Sequence, residues 1–104
     1  MVVQHSILRI REGASDSFEA ALRNAIPLIA ETPGFRGAEV RPACETSGFY
    51  LLRVFWDDIS CHRDGFRRSE RYQQVRAMLL DFYEPWPDVS YFDEPIIDIG
   101  INAA

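Results

Sequence analysis

The residues best suited to chemistry lie between positions 55 and 72, where aromatic side chains surround a histidine. Ile59, His62 and Phe66 recur at i, i+3 and i+7, so they share one face of a helix. Histidine gains and loses a proton near neutral pH, and Trp56 precedes it at the end of an apolar run. The pattern predicts a site for proton transfer beside an aromatic wall, with Trp56 and His62 as its catalytic residues.

Five other side chains are candidates for binding a substrate. Aromatic rings supply a dry wall, and an arginine supplies a positive charge that would balance a negative charge on a ligand. A histidine in the first strand would more often make a structural hydrogen bond, and each aromatic ring would also suit a plain hydrophobic core. The candidates are His5, Arg53, Phe66, Tyr72 and Trp86.

The composition indicates one globular domain. The chain has 104 residues, of which 47% are hydrophobic, and this is enough for a single core. We expect the core to span about residues 3–95 and a tail to follow at 96–104. The formal net charge of −5 argues against nucleic acid as a partner, because phosphate binding needs a basic face. Every basic residue is an arginine, which favours a composition bias over dedicated anion recognition.

Several classes of site are not expected from the sequence. Cys44 and Cys61 are too few and too far apart for a metal motif, and they are typical of reduced thiols in a cytoplasmic protein. The apolar run from Ala25 to Ala30 is far too short to span a membrane. The sequence also lacks a glycine-rich phosphate loop and a nucleophilic triad. We therefore expect no metal, no cofactor and no membrane association.

Hydrophobic periodicity and turn residues predict six elements in the order β-α-β-β-α-β. Alternation of apolar and polar residues indicates strands, and apolar repeats at helical spacing indicate helices. The predicted strands are Val2–Ile10, Phe35–Ala43, Phe49–Trp56 and Val89–Phe92, while the main helices follow the cap residues at 13–16 and begin at Ser69. A shorter helical stretch, capped by two aspartates at 57 and 58, should be interrupted at Gly65.

This order is that of the ferredoxin-like α+β fold, a four-stranded antiparallel sheet with helices on one face. The third predicted strand is apolar on both faces except at Arg53, so both faces must be covered. The helices cover one face, and a second copy of the chain is the natural cover for the other. The apolar tail from Ile96 to Ile101 should dock on its own domain or on a partner. We thus expect a homodimer whose two sheets close face to face.

Three stretches, in this order and spacing, resemble the antibiotic-biosynthesis monooxygenase domain. They are Thr32-Pro33-Gly34-Phe35-Arg36-Gly37, Trp56 at the end of the third strand, and Phe66-Arg67-Arg68-Ser69-Glu70-Arg71-Tyr72-Gln73. The resemblance extends from His5 to about Pro95 and implies a dimeric α+β barrel. The best-known members of that family oxidise phenols, anthrones or hydroquinones with O2 and use no metal, flavin or haem. Other members degrade haem.

The resemblance implies roles for particular positions. Trp56 matches the tryptophan that lines the family's substrate pocket, and His62 lies where an aromatic pocket residue is often found. Leu52 stands where the cofactor-free oxygenases carry an asparagine. Arg76 stands where haem-degrading members carry an axial histidine, so the resemblance disfavours haem degradation more strongly than oxygenation.

Two functions are consistent with these features. The first is cofactor-independent oxidation of a small aromatic substrate by O2, which requires a base and a dry cavity because triplet O2 reacts slowly with closed-shell molecules. The second is a non-catalytic barrel that binds a small molecule or acts in a stress response, and the stress-related group also carries a histidine on its first strand, as His5 does. A purely structural dimer is the third alternative. A cavity lined by Trp56, His62 and Tyr72 would favour the first two functions over the third.

Overall fold

The computed structural model describes residues 1–101. Within them it consists of four strands, two α-helices and two short helical segments. The elements are β1 (Val2–Arg9), α1 (Ser15–Ala30), β2 (Phe35–Pro42), β3 (Phe49–Trp56), a π-helical segment (Cys61–Phe66), α2 (Glu70–Leu79), a 3₁₀ turn (Leu80–Phe82) and β4 (Ser90–Phe92). The predicted order β-α-β-β-α-β is confirmed, and every predicted strand end holds to within one residue.

The strands form one antiparallel sheet in the order β2-β3-β1-β4. The central pair, β1 and β3, runs from Val2 opposite Trp56 to Arg9 opposite Phe49. β2 extends the sheet beyond β3, and the short β4 pairs with the start of β1. The predicted class, a ferredoxin-like α+β fold with its helices on one face of the sheet, is confirmed.

The core lies between the sheet and the helices, because alternate strand residues point toward α1 and α2. Helix α1 contributes Phe18, Leu22, Ala25 and Ile29, and β3 contributes Tyr50, Val54 and Trp56. Burying a large apolar side chain contributes about 1.5–3 kcal/mol, so this layer is the main source of the domain's stability. The opposite face of the sheet is left without a helical cover.

The two aspartates after β3 have different partners. Asp58 accepts a hydrogen bond of 3.2 Å from the backbone N–H of Ser60, in agreement with its predicted cap role. Asp57 instead binds Arg36 through two hydrogen bonds of 2.5 and 2.9 Å. This pairing ties the end of β3 to the start of β2, beside the segment that carries His62.

The turn between α1 and β2 requires a glycine at position 34. Gly34 has a φ of +89°, a conformation that residues with a Cβ rarely adopt. An added Cβ would also overlap the Sγ of Cys61 and lie 3.0 Å from its Cβ. The Gly34 carbonyl accepts a hydrogen bond of 2.9 Å from the Asp57 N–H, so the turn supports the end of β3.

We expect Gly34→Ala to lower the free energy of unfolding by about 2–5 kcal/mol, as measured by urea denaturation. Roughly 1–2 kcal/mol of this comes from the positive φ, and roughly 1–3 kcal/mol comes from overpacking against Cys61. Gly13→Ala is the matched control, because Gly13 has a φ of +78° but no atom within 4 Å of the added methyl. It should lose only about 1–2 kcal/mol. Equal losses in the two variants would contradict the clash with Cys61.

The C-terminal tail does not dock on its own domain. Ile96 is 98% exposed and Ile99 is 85% exposed, and the chain forms no strand or helix between Phe92 and residue 101. The prediction of docking on the domain itself is therefore wrong over residues 96–101, whereas docking on a partner stays a prediction. The last predicted tail positions, 102–104, lie outside the described residues. As far as residue 101, no helix is long and apolar enough to cross a membrane.

Candidate active site

A cavity of about 400 Å³ lies between the helix-facing side of the sheet and α2. Strand β1 contributes Gln4 and Ser6 to its lining, and α1 contributes apolar side chains. The volume falls within the range of small-molecule sites. Of the predicted site residues, the cavity brings together His62, Phe66, Tyr72 and Trp86.

His62 is buried in the cavity wall, with an exposed fraction of 4%. The π-helical segment positions it, since the N–H of Arg67 donates 2.9 Å to the His62 carbonyl across five residues. Such wide turns recur at functional sites. The imidazole stacks on Phe66 with 5.8 Å between ring centroids and lies 5.6 Å from the Trp56 ring. His62 therefore has an aromatic neighbour on two sides.

The predicted interruption at Gly65 is wrong. The helical path continues through Gly65 to Phe66 and breaks at 67–68, before Ser69 caps α2 by accepting a hydrogen bond from the Tyr72 N–H. A glycine inside a helix costs only about 1 kcal/mol. Burial of the adjacent Phe66 ring contributes about 1.5–3 kcal/mol, which is enough to hold the glycine in the helical turn.

Tyr91 is the hydrogen-bond partner of His62, and it was not singled out from the sequence. Its hydroxyl oxygen lies 2.6 Å from the Nδ1 of His62. Tyr91 sits on β4 opposite Gln4, and both residues line the cavity. The only sequence signal was the alternation in β4, which turns Tyr91 to the side of the sheet opposite to Ser90 and Phe92.

Burial holds the His62–Tyr91 pair in its neutral form. Desolvation, with the positive charge of Arg67 as a smaller cause, lowers the pKa of His62 from 6.5 to about 4. Desolvation also raises the pKa of the Tyr91 hydroxyl. At pH 7 the wall therefore presents a neutral imidazole bonded to a neutral phenol, and the tautomer of the imidazole decides which of the two groups donates the hydrogen bond.

We expect the free energy of unfolding to fall by about 3 kcal/mol on acidification from pH 7 to pH 4 because of His62 alone. The unfolded chain binds a proton at an ordinary histidine pKa of 6.5, whereas folded His62 resists protonation until pH 4. The stability is therefore fully present above pH 6.5 and is lost as the pH falls toward 4. Urea denaturation across this range measures the slope.

The control for this slope is a pair of histidine variants. His62→Gln should remove most of the pH dependence between 6.5 and 4, while His5→Gln, on the opposite face of the sheet, should retain it. The carboxylates of Asp57 and Glu39 also have lowered pKa values, each mainly through a hydrogen bond to an arginine. Because both carboxylates are present in every variant, their contribution cancels when the slopes are compared. A slope that persists in His62→Gln would contradict a buried, neutral His62.

Trp56 lies behind the cavity wall rather than at its surface. It is fully buried, and its indole Nε1–H donates a 3.0 Å hydrogen bond to the Oε1 of Gln4. An indole N–H can only donate, so it fixes the carbonyl end of the Gln4 amide toward Trp56. The NH₂ end of Gln4, with two donors, is left for the cavity. Gln4 was missed in the sequence, where its one signal was a polar residue in an apolar strand.

His5 and Arg53 do not line this cavity. They pair with each other across β1 and β3 on the face of the sheet that points away from the helices. The ring of His5 meets Phe92 edge-on at 5.6 Å, and the Nε of Arg53 lies 3.2 Å from a carboxylate oxygen of Glu39. Adjacent strand residues point to opposite faces. The structure therefore places His5 and Arg53 outside the cavity that holds His62, and their role in substrate binding stays a prediction.

The other predicted binding residues occupy distinct parts of the cavity. Phe66 and Tyr72 form the inner wall, with their rings edge to face at 5.6 Å. Trp86 is 40% exposed, and the guanidinium of Arg76 lies 5.4 Å from its ring centroid. Arg76 is the position that the resemblance assigned to an axial haem ligand. Its side chain is engaged with this aromatic ring.

Leu52 makes the cavity apolar at the position where an asparagine was expected. It lies opposite Ser6 across β1 and β3, and both residues line the cavity. The nearest side-chain amide in the sheet belongs to Gln4, which lies two residues before Ser6 on the same face of β1. Over residues 1–101, no three His, Cys, Asp or Glu side chains gather as a metal site would require.

A second hollow, of about 500 Å³, lies between α1 and β2. Its charged residues are Glu19, Arg23 and Glu39, and the Tyr50 hydroxyl donates a 2.7 Å hydrogen bond to Glu19. Glu19 pairs with Arg23, and Glu39 pairs with Arg41 and Arg53. No histidine lines this hollow. The smaller cavity around His62 is therefore the candidate active site.

The fold and this cavity define an α+β domain that encloses an aromatic site with a neutral histidine in its wall. The family model described as antibiotic biosynthesis monooxygenase matches residues 1–78. The chain belongs to this family. The uncharacterized protein YczJ of Bacillus subtilis strain 168 is 37% identical to it over 94 residues, which cover 90% of this chain and 99% of that protein.

Solved structures agree with this assignment. A Bordetella bronchiseptica protein proposed to be an antibiotic biosynthesis monooxygenase superposes with a TM-score of 0.84 at 26% identity, covering 91% of this chain and 97% of that one. SnoaB, a cofactor-independent oxygenase from Streptomyces nogalater, superposes with a TM-score of 0.80 at 16% identity, covering 92% and 94%. At this identity, the superposition with SnoaB shows that the two proteins share a fold.

Proposed function

We propose that this protein is a cofactor-independent monooxygenase that oxidises a small aromatic substrate with O2. The observation that carries the proposal is the neutral His62–Tyr91 pair, joined at 2.6 Å in the wall of an aromatic cavity. A substrate reacts with O2 without a cofactor only after it loses a proton and becomes an electron donor. The family membership and the SnoaB fold support the same chemistry.

The proposed reaction balances without an external reductant. A phenol with a free para position loses its hydroxyl proton and then gives an electron to O2. One oxygen atom replaces hydrogen at the para carbon, which yields a quinone. The other oxygen atom leaves as water with the two hydrogens that the substrate has lost. The substrate supplies all four electrons that reduce O2.

Three side chains divide the work in this proposal. Tyr91 lines the cavity and passes the substrate proton to the Nδ1 of His62, which acts as the base. The NH₂ group of Gln4 donates a hydrogen bond to the substrate oxygen and favours its anionic form. The aromatic walls exclude water and hold the ring in place.

The low pKa of His62 limits which substrates fit. Moving a proton from a simple phenol, of pKa about 10, to His62, of pKa about 4, costs roughly 8 kcal/mol. The cost falls for a phenol or anthrone whose hydrogen is more acidic. The proposal therefore favours extended aromatic substrates over simple phenols.

A second candidate function is the binding of an aromatic molecule without turnover. Leu52 favours it, because an apolar residue lines the cavity where the cofactor-free oxygenases carry an amide. In this case the His62–Tyr91 pair would serve only as a hydrogen-bonding wall.

The test is oxygen uptake by the purified protein under chelator, with 1-naphthol, 1,5-dihydroxynaphthalene and anthrone as substrates, each of which has hydrogen on the carbon para to its oxygen. The monooxygenase should consume O2 and form quinone in a one-to-one ratio, above the buffer rate, with no effect of the chelator. Absence of turnover on all three, with measurable binding of the same compounds, would leave the binding function in its place.

We also propose that the protein is a homodimer closed through the uncovered face of the sheet. On that face Ile7 is 46% exposed and Phe92 is 54% exposed, and a second copy would bury them together with the apolar tail. A standard interface buries about 1,600 Å². Sedimentation at low micromolar concentration should show a dimer for the wild type.

Two matched substitutions test this interface. Ile7→Arg places a charge on the uncovered face and should produce monomers. Met78→Arg places the same charge at an exposed residue of α2 and should leave the dimer intact. A folded wild-type monomer, or equal behaviour of the two variants, would contradict the proposed interface.

A further inference from the structure

Three arginines line the cavity that holds His62. They are Arg63, from the π-helical segment, Arg67, directly after it, and Arg76 from α2. The lining includes a single carboxylate, Asp88. The protein as a whole carries a formal net charge of −5, so this local excess of positive charge runs against the overall charge of the chain.

None of these arginines forms an ion pair with a carboxylate within residues 1–101. Other arginines of the chain do: Arg36 binds Asp57, and the neighbouring Arg68 lies 3.9 Å from Asp64. The cavity arginines thus retain their donors, and each could offer a bidentate fork to a planar anion.

The aromatic walls hold two of these guanidinium groups in place. The Arg67 guanidinium lies 5.8 Å from the ring centroid of Tyr72, and that of Arg76 lies 5.4 Å from the ring centroid of Trp86. Both rings line the cavity. Cation–π contacts of this kind orient an arginine without neutralising its charge. A flat ligand between these rings would therefore place its edge close to both cations.

We propose that the ligand of this cavity is an aromatic carboxylate, whose ring lies among the aromatic walls and whose acid group binds Arg67 and Arg76. The assignment deepens the proposed monooxygenase function by naming the class of substrate, and it rests on the same cavity. Arg63 adds to the positive field without a ring to orient it.

A bound carboxylate would also assist the chemistry at His62. The positive charge of Arg67 contributes to the low pKa of His62. An anion bound to Arg67 would offset that charge and strengthen the imidazole as a base. A substrate that carries a carboxylate would thus lower the free-energy cost of moving its own hydroxyl proton to His62.

The test compares two probes of the same shape, naphthalene-2-carboxylate and naphthalene-2-carboxamide, by isothermal titration calorimetry at pH 7. The carboxylate should bind about tenfold tighter or more, because hydrogen bonds between charged groups are the stronger ones. The preference should shrink as salt screens the arginines. Equal affinity for the two probes, or no binding of either, would overturn the proposal.

Arginine variants locate the effect. Arg67→Gln and Arg76→Gln should each weaken carboxylate binding about tenfold and leave carboxamide binding almost unchanged. Arg68→Gln is the matched control: it removes the same charge one residue away, outside the cavity lining, and should change carboxylate binding less than twofold. Equal losses of carboxylate affinity in Arg67→Gln and Arg68→Gln would show that the arginines act only through the general positive charge of this region. That result would overturn the proposed contact.

The binding data also separate this proposal from the oxygenase itself. A protein that prefers the carboxylate but consumes no O2 with any substrate keeps the ligand class and loses the reaction. A protein that oxidises 1-naphthol but shows no carboxylate preference keeps the reaction and loses the ligand class.

Discussion

Replacing Trp56 with alanine should lower the free energy of unfolding by about 3–5 kcal/mol, which is the typical cost of truncating a buried tryptophan. Trp56 is fully buried, meets Phe35 edge to face at 5.8 Å and lies beside His62 and Phe66. The substitution leaves a cavity that these rings cannot fill. Urea denaturation of the wild type and the variant measures the loss, provided that the dependence of the unfolding free energy on urea concentration is the same in both proteins.

Trp56→Phe separates packing from hydrogen bonding. It keeps most of the volume but removes the indole N–H that holds the Oε1 of Gln4. Leaving that buried oxygen without a donor should cost about 1–3 kcal/mol, less than the alanine variant. The freed amide can then rotate, so ligand affinity or turnover should fall as well.

The matched control is Gln4→Leu, which removes the amide and leaves Trp56 in place. If Trp56 acts on the cavity through Gln4, Trp56→Phe and Gln4→Leu should impair ligand binding to a similar extent, and the double variant should add little. Additive effects of the two substitutions on binding would contradict this coupling. A loss of stability in Trp56→Phe with unchanged ligand binding would assign Trp56 to the core alone.

Replacing His62 with alanine should lower turnover at least tenfold, and up to the roughly 100- to 10,000-fold that general-base catalysis contributes. The imidazole accepts the substrate proton in the proposed reaction, and Tyr91 is its 2.6 Å partner. The measurement is kcat from oxygen consumption, with circular dichroism and sedimentation to show that the variant is folded and assembled as the wild type is.

The control variants test the proton path. His5→Ala changes a histidine on the opposite face of the sheet and should lose far less activity. Tyr91→Phe removes the hydroxyl between the cavity and His62 and should reduce kcat nearly as much as His62→Ala. Unchanged turnover in both His62→Ala and Tyr91→Phe would remove this pair from the mechanism.

A substitution at position 52 tests for a gain of turnover, whereas the preceding variants test for a loss. Leu52 lines the cavity opposite Ser6, where the resemblance implies an asparagine. If that amide helps to hold the substrate oxygen, Leu52→Asn should raise turnover. A loss of turnover would indicate that Gln4 already serves this purpose and that the added amide competes with it.

The sequence by itself determined the elements and part of the site. Strands, helices and turns follow from local patterns. The strand β3 was predicted over its full length because a short, aromatic-rich apolar run between a turn and two aspartates has the length and composition of a buried strand. The helical spacing of His62 and Phe66 placed both in one wall, since residues on one helix face share an environment. Local spacing is sufficient for such groups because they lie within two turns of one another.

Only the tertiary structure decided which distant residues meet. Tyr91 reaches His62 because β4 pairs with β1 at Gln4, 87 positions earlier in the chain, and no local pattern encodes that register. The pairing of β1 with β3 places His5 opposite Arg53 on the far face, since a strand residue changes side with every step. The same pairing brings Gln4 to the indole of Trp56. Long-range pairing sets these contacts, and packing against the helices then decides that His62 is buried and held neutral.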